Sequence, residues 1–329
     1  MILTLTANPS IDATLSLADP LKRGEVQRPT HAQRSAGGKG VNVANALHRG
    51  GVETRALFPA ADNDPFVALV RAAKVPFTNV PIPGSVRTNT AVTEPDGTTT
   101  KLNEPGAELN DDHLREIENI VVDAAADGSA IVMSGSLPPG APLDWYAILV
   151  AKCIDANPDA LVAVDTSDAP LQALGERLED CAPTLLKPNG IELGQLTGFD
   201  GEDIERQAES GDFGPALDAA RPLLDKGVSE ILLTLGGAGA ALITSDGAWV
   251  ATPPPTQVVS TVGAGDCSLA GYLRARSHGL DYAESLGWAV AYGSAAAGLP
   301  GTEIPGPDLV NFSETTIRTI VHSESKDLR

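Results

Sequence analysis

Ser260-Thr261-Val262-Gly263-Ala264-Gly265-Asp266 runs directly into Cys267-Ser268-Leu269-Ala270-Gly271-Tyr272-Leu273. Apolar Val258-Val259 precedes three residues with almost no side chain, and Leu269, Ala270 and Leu273 then recur at helical spacing. The stretch reads as strand end, bare loop and helix start. A helix N-terminus carries unpaired N–H groups and a partial positive charge, and glycines let an anion come close to them. Gly263, Ala264 and Gly265 therefore suit a phosphoryl group. A carboxylate at an anion site repels the anion unless it has a task there, and taking a proton from an attacking hydroxyl would give Asp266 one. The competing reading makes Asp266 the N-cap of an ordinary helix. Ser268 stands where a dinucleotide fingerprint needs its third glycine, and no lysine supplies a Walker A motif, which disfavours a nicotinamide dehydrogenase.

The 329 residues suffice for one large α/β domain or one domain with a smaller appendage. No uninterrupted apolar run is long enough to span a bilayer, and no charged leader follows Met1, so a cytoplasmic, membrane-free protein is expected. Cys153, Cys181 and Cys267 are odd in number and widely spaced, and read as small buried fillers rather than a disulfide or zinc framework. The net charge of −20 argues against a nucleic-acid partner. It is unevenly spread, because residues 1–101 carry 11 Lys/Arg against 8 Asp/Glu. The cations available to an anionic substrate thus gather in the first third.

Working outward from the opening stretch, Ile2 to Thr6 reads as a buried strand ending at Ala7-Asn8-Pro9-Ser10-Ile11-Asp12. Ligands of parallel sheets sit beyond the carboxyl ends of strands, so Asp12 is a substrate candidate, with turn chemistry as its alternative. A second glycine loop, Ser35-Ala36-Gly37-Gly38-Lys39-Gly40-Val41-Asn42, enters a short helix that Gly50-Gly51 stops. Lys39 in that loop is placed to hold a substrate phosphate or else to be simply solvated, and Asn42 to bond sugar hydroxyls. Two short, polar, alternating regions flank this unit, about 13–35 and about 77–104, and predict a small β-sheet covering the main domain.

Beyond them the pattern is regular. Ala130-Ile131-Val132-Met133, Leu161 to Val164, Leu185-Leu186 and Ile231-Leu232-Leu233 each run into polar or glycine residues, predicting loops that converge along one edge of a parallel sheet. Ala240 to Ile243 and Trp249-Val250-Ala251 predict a hairpin at the far edge. Asp200 to Gly214 reads as a surface helix and loop, Ala283 to Ala297 as a small-residue helix packed behind a nucleotide site, and Ser323 to Arg329 as a frayed tail.

Gly37-Gly38-Lys39-Gly40-Val41-Asn42 and Thr261-Val262-Gly263-Ala264-Gly265-Asp266 together resemble the two signatures of the ribokinase-like sugar kinases, the PfkB carbohydrate kinases. Asn8-Pro9-Ser10-Ile11-Asp12, Ser134-Gly135-Ser136-Leu137-Pro138 and Lys187-Pro188-Asn189 fall in the order seen in that family, so the resemblance covers nearly the whole chain. It is closest to the phosphosugar branch; Gly24-Glu25-Val26, the Gly-Gly-Lys-Gly loop and Lys101-Leu102-Asn103-Glu104-Pro105-Gly106 look most like its fructose 1-phosphate kinases. Ser260 departs from the Asp or Asn common at that position.

The resemblance implies a single domain over 1–329, a three-layer α/β/α sandwich with a mostly parallel sheet and a β-lid. It implies ATP-dependent phosphorylation of a phosphorylated ketohexose, D-fructose 1-phosphate, with tagatose 6-phosphate and fructose 6-phosphate as alternatives in the same class. A non-catalytic sugar-phosphate sensor is the alternative of another class, disfavoured by an intact Asp266. By position, Asp266 would be the base and the amides of Gly263, Ala264 and Gly265 the anion hole. Asp12, Gly38, Asn42 and Ser136 would orient the sugar, and Lys39 and Arg87 would hold its phosphate. Lys187, Asn189, Thr234, Gly236 and Gly239 would face ATP, and Glu192 would hold waters on Mg²⁺. This reading needs no raised pKa at Asp266, since the hydroxyl loses its proton late in a loose transition state. A homodimer joined through the lid is implied as well.

Overall fold

A computed structural model describes residues 1–320. The predicted frayed tail, Ser323 to Arg329, lies outside the described residues. In chain order the elements begin β1 (Ile2–Thr6), β2 (Ser10–Ser16), β3 (His31–Gly37), α1 (Lys39–Arg49), β4 (Thr54–Pro59) and α2 (Pro65–Ala72). Next come β5 (Phe77–Val80), β6 (Arg87–Thr93), β7 (Thr99–Asn103), α3 (Asp111–Ala126), β8 (Ala130–Ser134), α4 (Trp145–Ala156) and β9 (Val162–Asp165). The chain continues through α5 (Asp168–Glu176), β10 (Leu185–Leu186), α6 (Gly190–Thr197), α7 (Gly201–Glu209), α8 (Gly214–Asp225) and β11 (Glu230–Thr234). It closes with β12 (Ala240–Thr244), β13 (Gly247–Thr252), α9 (Ala264–Ser277), α10 (Tyr282–Ala297) and β14 (Thr316–Ile320).

The strands form two sheets. The larger has the order β14-β13-β12-β11-β10-β9-β8-β1-β4-β5, parallel from β11 to β5 and antiparallel from β11 to β14. Because successive strand residues point to opposite faces, its apolar runs divide. Leu3, Leu5, Ile131, Met133, Val162, Val164, Ile231 and Leu233 join one core with α3, α4 and α8, while Ile2, Val132, Ala163 and Leu232 join the other with α1, α9 and α10. A strand buried on both faces reads as a continuous apolar run, which is why these segments were legible. The result is the expected α/β/α sandwich. No helix among the described residues is long and apolar enough to cross a membrane, and the three cysteines are buried and free.

The smaller sheet has the order β3-β2-β6-β7 and forms the lid. Its boundaries correct the sequence expectation. Phe77–Val80 is not lid but the edge strand of the large sheet, paired in parallel with β4, whereas the lid takes in Ser10 to Asp12 ahead of residue 13. The β12–β13 hairpin is likewise not the far edge, because β14 pairs antiparallel outside β13, from Ala248↔Ile320 to Thr252↔Thr316. Helix α7 occupies the predicted surface segment, and the small-residue helix is α10, which packs along α9.

Candidate active site

From β1 the chain grows the large sheet to one side through β4 and β5, then crosses to β8 and grows to the other side through β9, β10 and β11. The carboxyl ends of β1 and β8 therefore part at a switch point, where α/β sheets bind ligands. A cavity of about 450 Å³ opens there, walled by both sheets and by the loop before α9. It gathers Asp12, Gly38, Lys39, Asn42, Arg87, Ser136, Lys187, Asn189, Glu192, Thr234, Gly263, Gly265 and Asp266. A cavity of similar size, about 460 Å³, lies at the opposite end of the strands beside Ile2, Val52 and Arg276 and contains none of the expected site residues.

The N-cap of α9 is Gly263, at φ 80°, and no side chain caps the helix. A Cβ at Gly263 would meet nothing within 4 Å, so it is the left-handed backbone, not crowding, that asks for glycine. Among the described residues the amides of Gly265 and Asp266 make no hydrogen bond, while that of Ala264 bonds Thr261 O at 3.3 Å. Asp266 lies in the first turn but is not the N-cap, which removes the competing reading of that residue. Instead its Oδ2 accepts a hydrogen bond from Asn42 Nδ2 at 2.8 Å, across two helices. Asp266 is 6 % exposed. Burial, followed by the nearby Asp165 carboxylate, pushes its pKa up to about 6, against the opposing pull of Lys39, the Asn42 hydrogen bond and Lys187. The sequence reading asked for no raised pKa here, and the depth of the site supplies one. A carboxyl group that titrates near 6 is better matched to accepting a proton at neutral pH than one near 4.

Helix α1 brings Asn42 and Lys39 to this point because its start lies flat on β1. Thr4 Oγ1 donates to Gly40 O at 2.8 Å, and a Cβ at Gly40 would come within 2.7 Å of Leu5 O. Gly38, at φ 108°, turns the chain over the Thr6 methyl.

Lys39 does not stand free to await a substrate phosphate. Its Nζ donates to Asp165 Oδ1 at 2.8 Å, and Lys187 Nζ lies 3.3 Å from Asp165 Oδ2. Asp165 is fully buried. Burial alone would raise its pKa, yet Lys187 and Lys39 hold the carboxyl below the usual range. Burial likewise works against the Lys39 ammonium, but Asp165 and Asp266 outweigh it and keep the group protonated. Asn189 caps α6 and exchanges two hydrogen bonds with Glu192, Asn189 N donating to Glu192 Oε2 at 2.9 Å and Glu192 N to Asn189 Oδ1 at 2.7 Å. Burial raises the Glu192 carboxyl.

At the lid end, Ser10 Oγ donates to Asp12 Oδ1 at 2.8 Å, and burial raises the Asp12 pKa despite that bond. The carboxyl fills the space that a Cβ at Gly37 would take. Arg87 donates through Nη2 to Asn8 O and Ser136 Oγ, both at 3.1 Å, and through Nη1 to Glu104 O at 3.3 Å. Its buried Nε has no partner, and no described carboxylate lies within salt-bridge distance of the guanidinium. A cation whose partners are all neutral is suited to an incoming anion.

Three expected residues are not in the cavity wall. Ala264 has its amide bonded to Thr261 O, Gly236 opens a short 3-10 turn (Gly236–Ala238), and Gly239 lies against Ala251 O, where it serves the hairpin. Sequence reasoning missed Asp165 as a site residue, along with the lining residues Thr6, Asn8, Ser10, Asn89 and Ser167. The signal for Asp165 was present, since it ends an apolar run at a strand's carboxyl edge as Asp12 follows one.

The pfkB family carbohydrate kinase model matches residues 5–309. A 1-phosphofructokinase of Haloferax volcanii is 34% identical over 327 residues, covering 97% of this chain and 100% of the relative. A 1-phosphofructokinase of Xanthomonas campestris pv. campestris is 34% identical over 276 residues, covering 83% of each. Among solved structures, phosphofructokinase-2 from Escherichia coli in complex with substrates and products superposes with a TM-score of 0.82 at 29% identity, covering 94% of this chain and 96% of that one.

Proposed function

Since the chain belongs to the PfkB family of carbohydrate kinases, we propose that it transfers the γ-phosphoryl group of ATP to D-fructose 1-phosphate, giving D-fructose 1,6-bisphosphate and ADP. The observation that carries this reading is one cavity holding a buried carboxyl pushed up to about 6, two free amides at a helix start beside it, and at the other end a guanidinium with no carboxylate within salt-bridge distance.

In this reading Arg87, with Ser136 and Asn8 around it, holds the phosphate already on the sugar, while Asp12 and Asn42 orient the hydroxyls. Asp266 accepts the proton of the hydroxyl whose oxygen forms the new bond to phosphorus as the bond to ADP breaks. The amides of Gly265 and Asp266 and the ammonium groups of Lys39 and Lys187 stabilise the charge that spreads over the equatorial oxygens. Phosphoryl transfer needs positioning and charge stabilisation more than covalent help, and this set supplies both. Lys187, Asn189 and Thr234 would meet the nucleotide phosphates.

Mg²⁺ would enter with the nucleotide and neutralise phosphate charge. No group of three His, Cys, Asp or Glu side chains among the described residues forms a metal cage. That fits an ion which keeps several waters and takes phosphate oxygens, with Glu192 Oε1 free to hold a water. An ADP-release assay over fructose 1-phosphate, tagatose 6-phosphate and fructose 6-phosphate tests the substrate. The highest kcat/KM is expected for fructose 1-phosphate, and a higher value for either of the others would overturn the choice.

A further inference from the structure

Three contacts outside the cavity meet on one short segment after α10. Ser35 of β3 and Thr302 share a hydroxyl–hydroxyl hydrogen bond of 3.1 Å. Ser260 Oγ donates to Gly301 O at 2.9 Å and accepts from Val262 N at 3.3 Å. Arg49, at the end of α1, donates through Nη1 to Ile304 O at 2.6 Å. The lid, the loop entering α9 and the helix bearing Asn42 are thereby pinned to the four consecutive residues from Gly301 to Ile304.

The lid end of this chain of contacts is close to the site. Ser35 pairs directly with Asp12 across the β2–β3 ladder, and Gly301 sits beside Thr14 of β2. At the other end, Ser260 and Val259 both donate their amides to Ala297 O, at 3.2 and 2.8 Å, so the loop's entry is fixed to the end of α10. Ser260 then holds Val262, the residue before Gly263. The Ser260 hydroxyl satisfies both neighbours with one atom, because Gly301 O accepts and Val262 N donates.

We propose that Ser35, Thr302 and Ser260 are positioning residues forming a strut, by which the lid over the sugar and the loop that cradles the phosphoryl group fix one another's place. Neither end touches a reacting atom. A ligand that settles the lid through Asp12 then also settles the amides of Gly265 and Asp266, so the second ligand meets a loop already ordered. Such linkage is reciprocal, and its strength is the factor by which each ligand tightens the other.

The inference rests on the kinase reading, and titration calorimetry on the full chain separates the two. Fructose 1-phosphate and a non-hydrolysable ATP analogue with Mg²⁺ are titrated singly and then each in the presence of the other. The wild type is expected to show coupling of about fivefold or more. Ser35→Ala and Ser260→Ala should each bring it to within about twofold of unity, with single-ligand affinities changed by less than about twofold. The double variant should add nothing to either single change, and Ser260→Thr, which keeps the hydroxyl, should restore coupling. Coupling that survives in both alanine variants overturns the strut, as does a wild type that binds both ligands independently. A wild type that binds neither ligand removes the kinase reading, and the strut with it.

Discussion

Lys39 and Lys187 share the buried carboxylate of Asp165, at 2.8 and 3.3 Å, whereas Arg87, at the lid end of the same cavity, rests on two carbonyls and a hydroxyl and keeps an unpartnered Nε. The two arrangements answer different demands. A cation already paired gains little from a new counter-ion, but its place is set before any ligand arrives, which suits a centre where charge moves during reaction. An unpaired cation draws its counter-ion from the ligand, so binding strength concentrates there. The lysine end is built for geometry and the arginine end for capture.

The largest expected effect tests the lysine end. Asp266→Asn keeps an oxygen for Asn42 to donate to but cannot take a proton, and should lower kcat by about 10²–10⁴-fold with little change in phosphosugar KM. Turnover like the wild type in steady-state assays would remove Asp266 as the base.

Next comes a pair of variants that sets the two ends against each other. Arg87→Ala should raise the phosphosugar KM by roughly 10²-fold with the melting temperature nearly unchanged, because the guanidinium has no carboxylate to abandon. Lys39→Ala should raise KM less and destabilise the fold by about 1–3 kcal/mol. That figure is discounted for screening, since Lys39 is 34 % exposed. If kinetics and thermal melts gave the reverse pattern, capture and geometry would have exchanged ends.

The smallest effect is in stability against pH. The Asp266 pKa is raised in the fold to about 6, so the native state binds this proton more tightly than the unfolded chain does. The charged form therefore costs stability in full above about pH 6, and the cost is relieved as pH falls toward about 4. Asp266→Asn should gain on the order of 1–3 kcal/mol at pH 7.5, the gain vanishing toward pH 4. Urea melts at several pH values measure it, and a difference independent of pH would mean that the carboxyl is not perturbed by burial.

The fold was legible where local and global signals agreed. Apolar runs such as Ile2 to Thr6 and Ile231 to Leu233 are buried on both faces and could be little else. Both glycine loops entering helices were legible too, because the backbone freedom they supply has few other uses. Phe77–Val80 was misplaced because a half-buried four-residue strand carries no mark of which sheet it joins; pairing partners decide that. Thr316–Ile320 passed unnoticed for the same reason, its residues being largely exposed. In the site, residue types and their neighbourhood were foreseen, but Asp165 was not, and with it the pairing of Lys39. Nor was the raised pKa of Asp266, since burial depth and the carboxylate of Asp165, distant in sequence, leave no trace in a local pattern.

Gly40 has one more consequence. With no room between α1 and the Leu5 carbonyl for even a methyl group, any side chain there would lift the helix, and Lys39 and Asn42 would travel with it as a single rigid unit. One hydrogen atom in that seam thus guards two functions at once, and drift in this sequence has no gradual route through it.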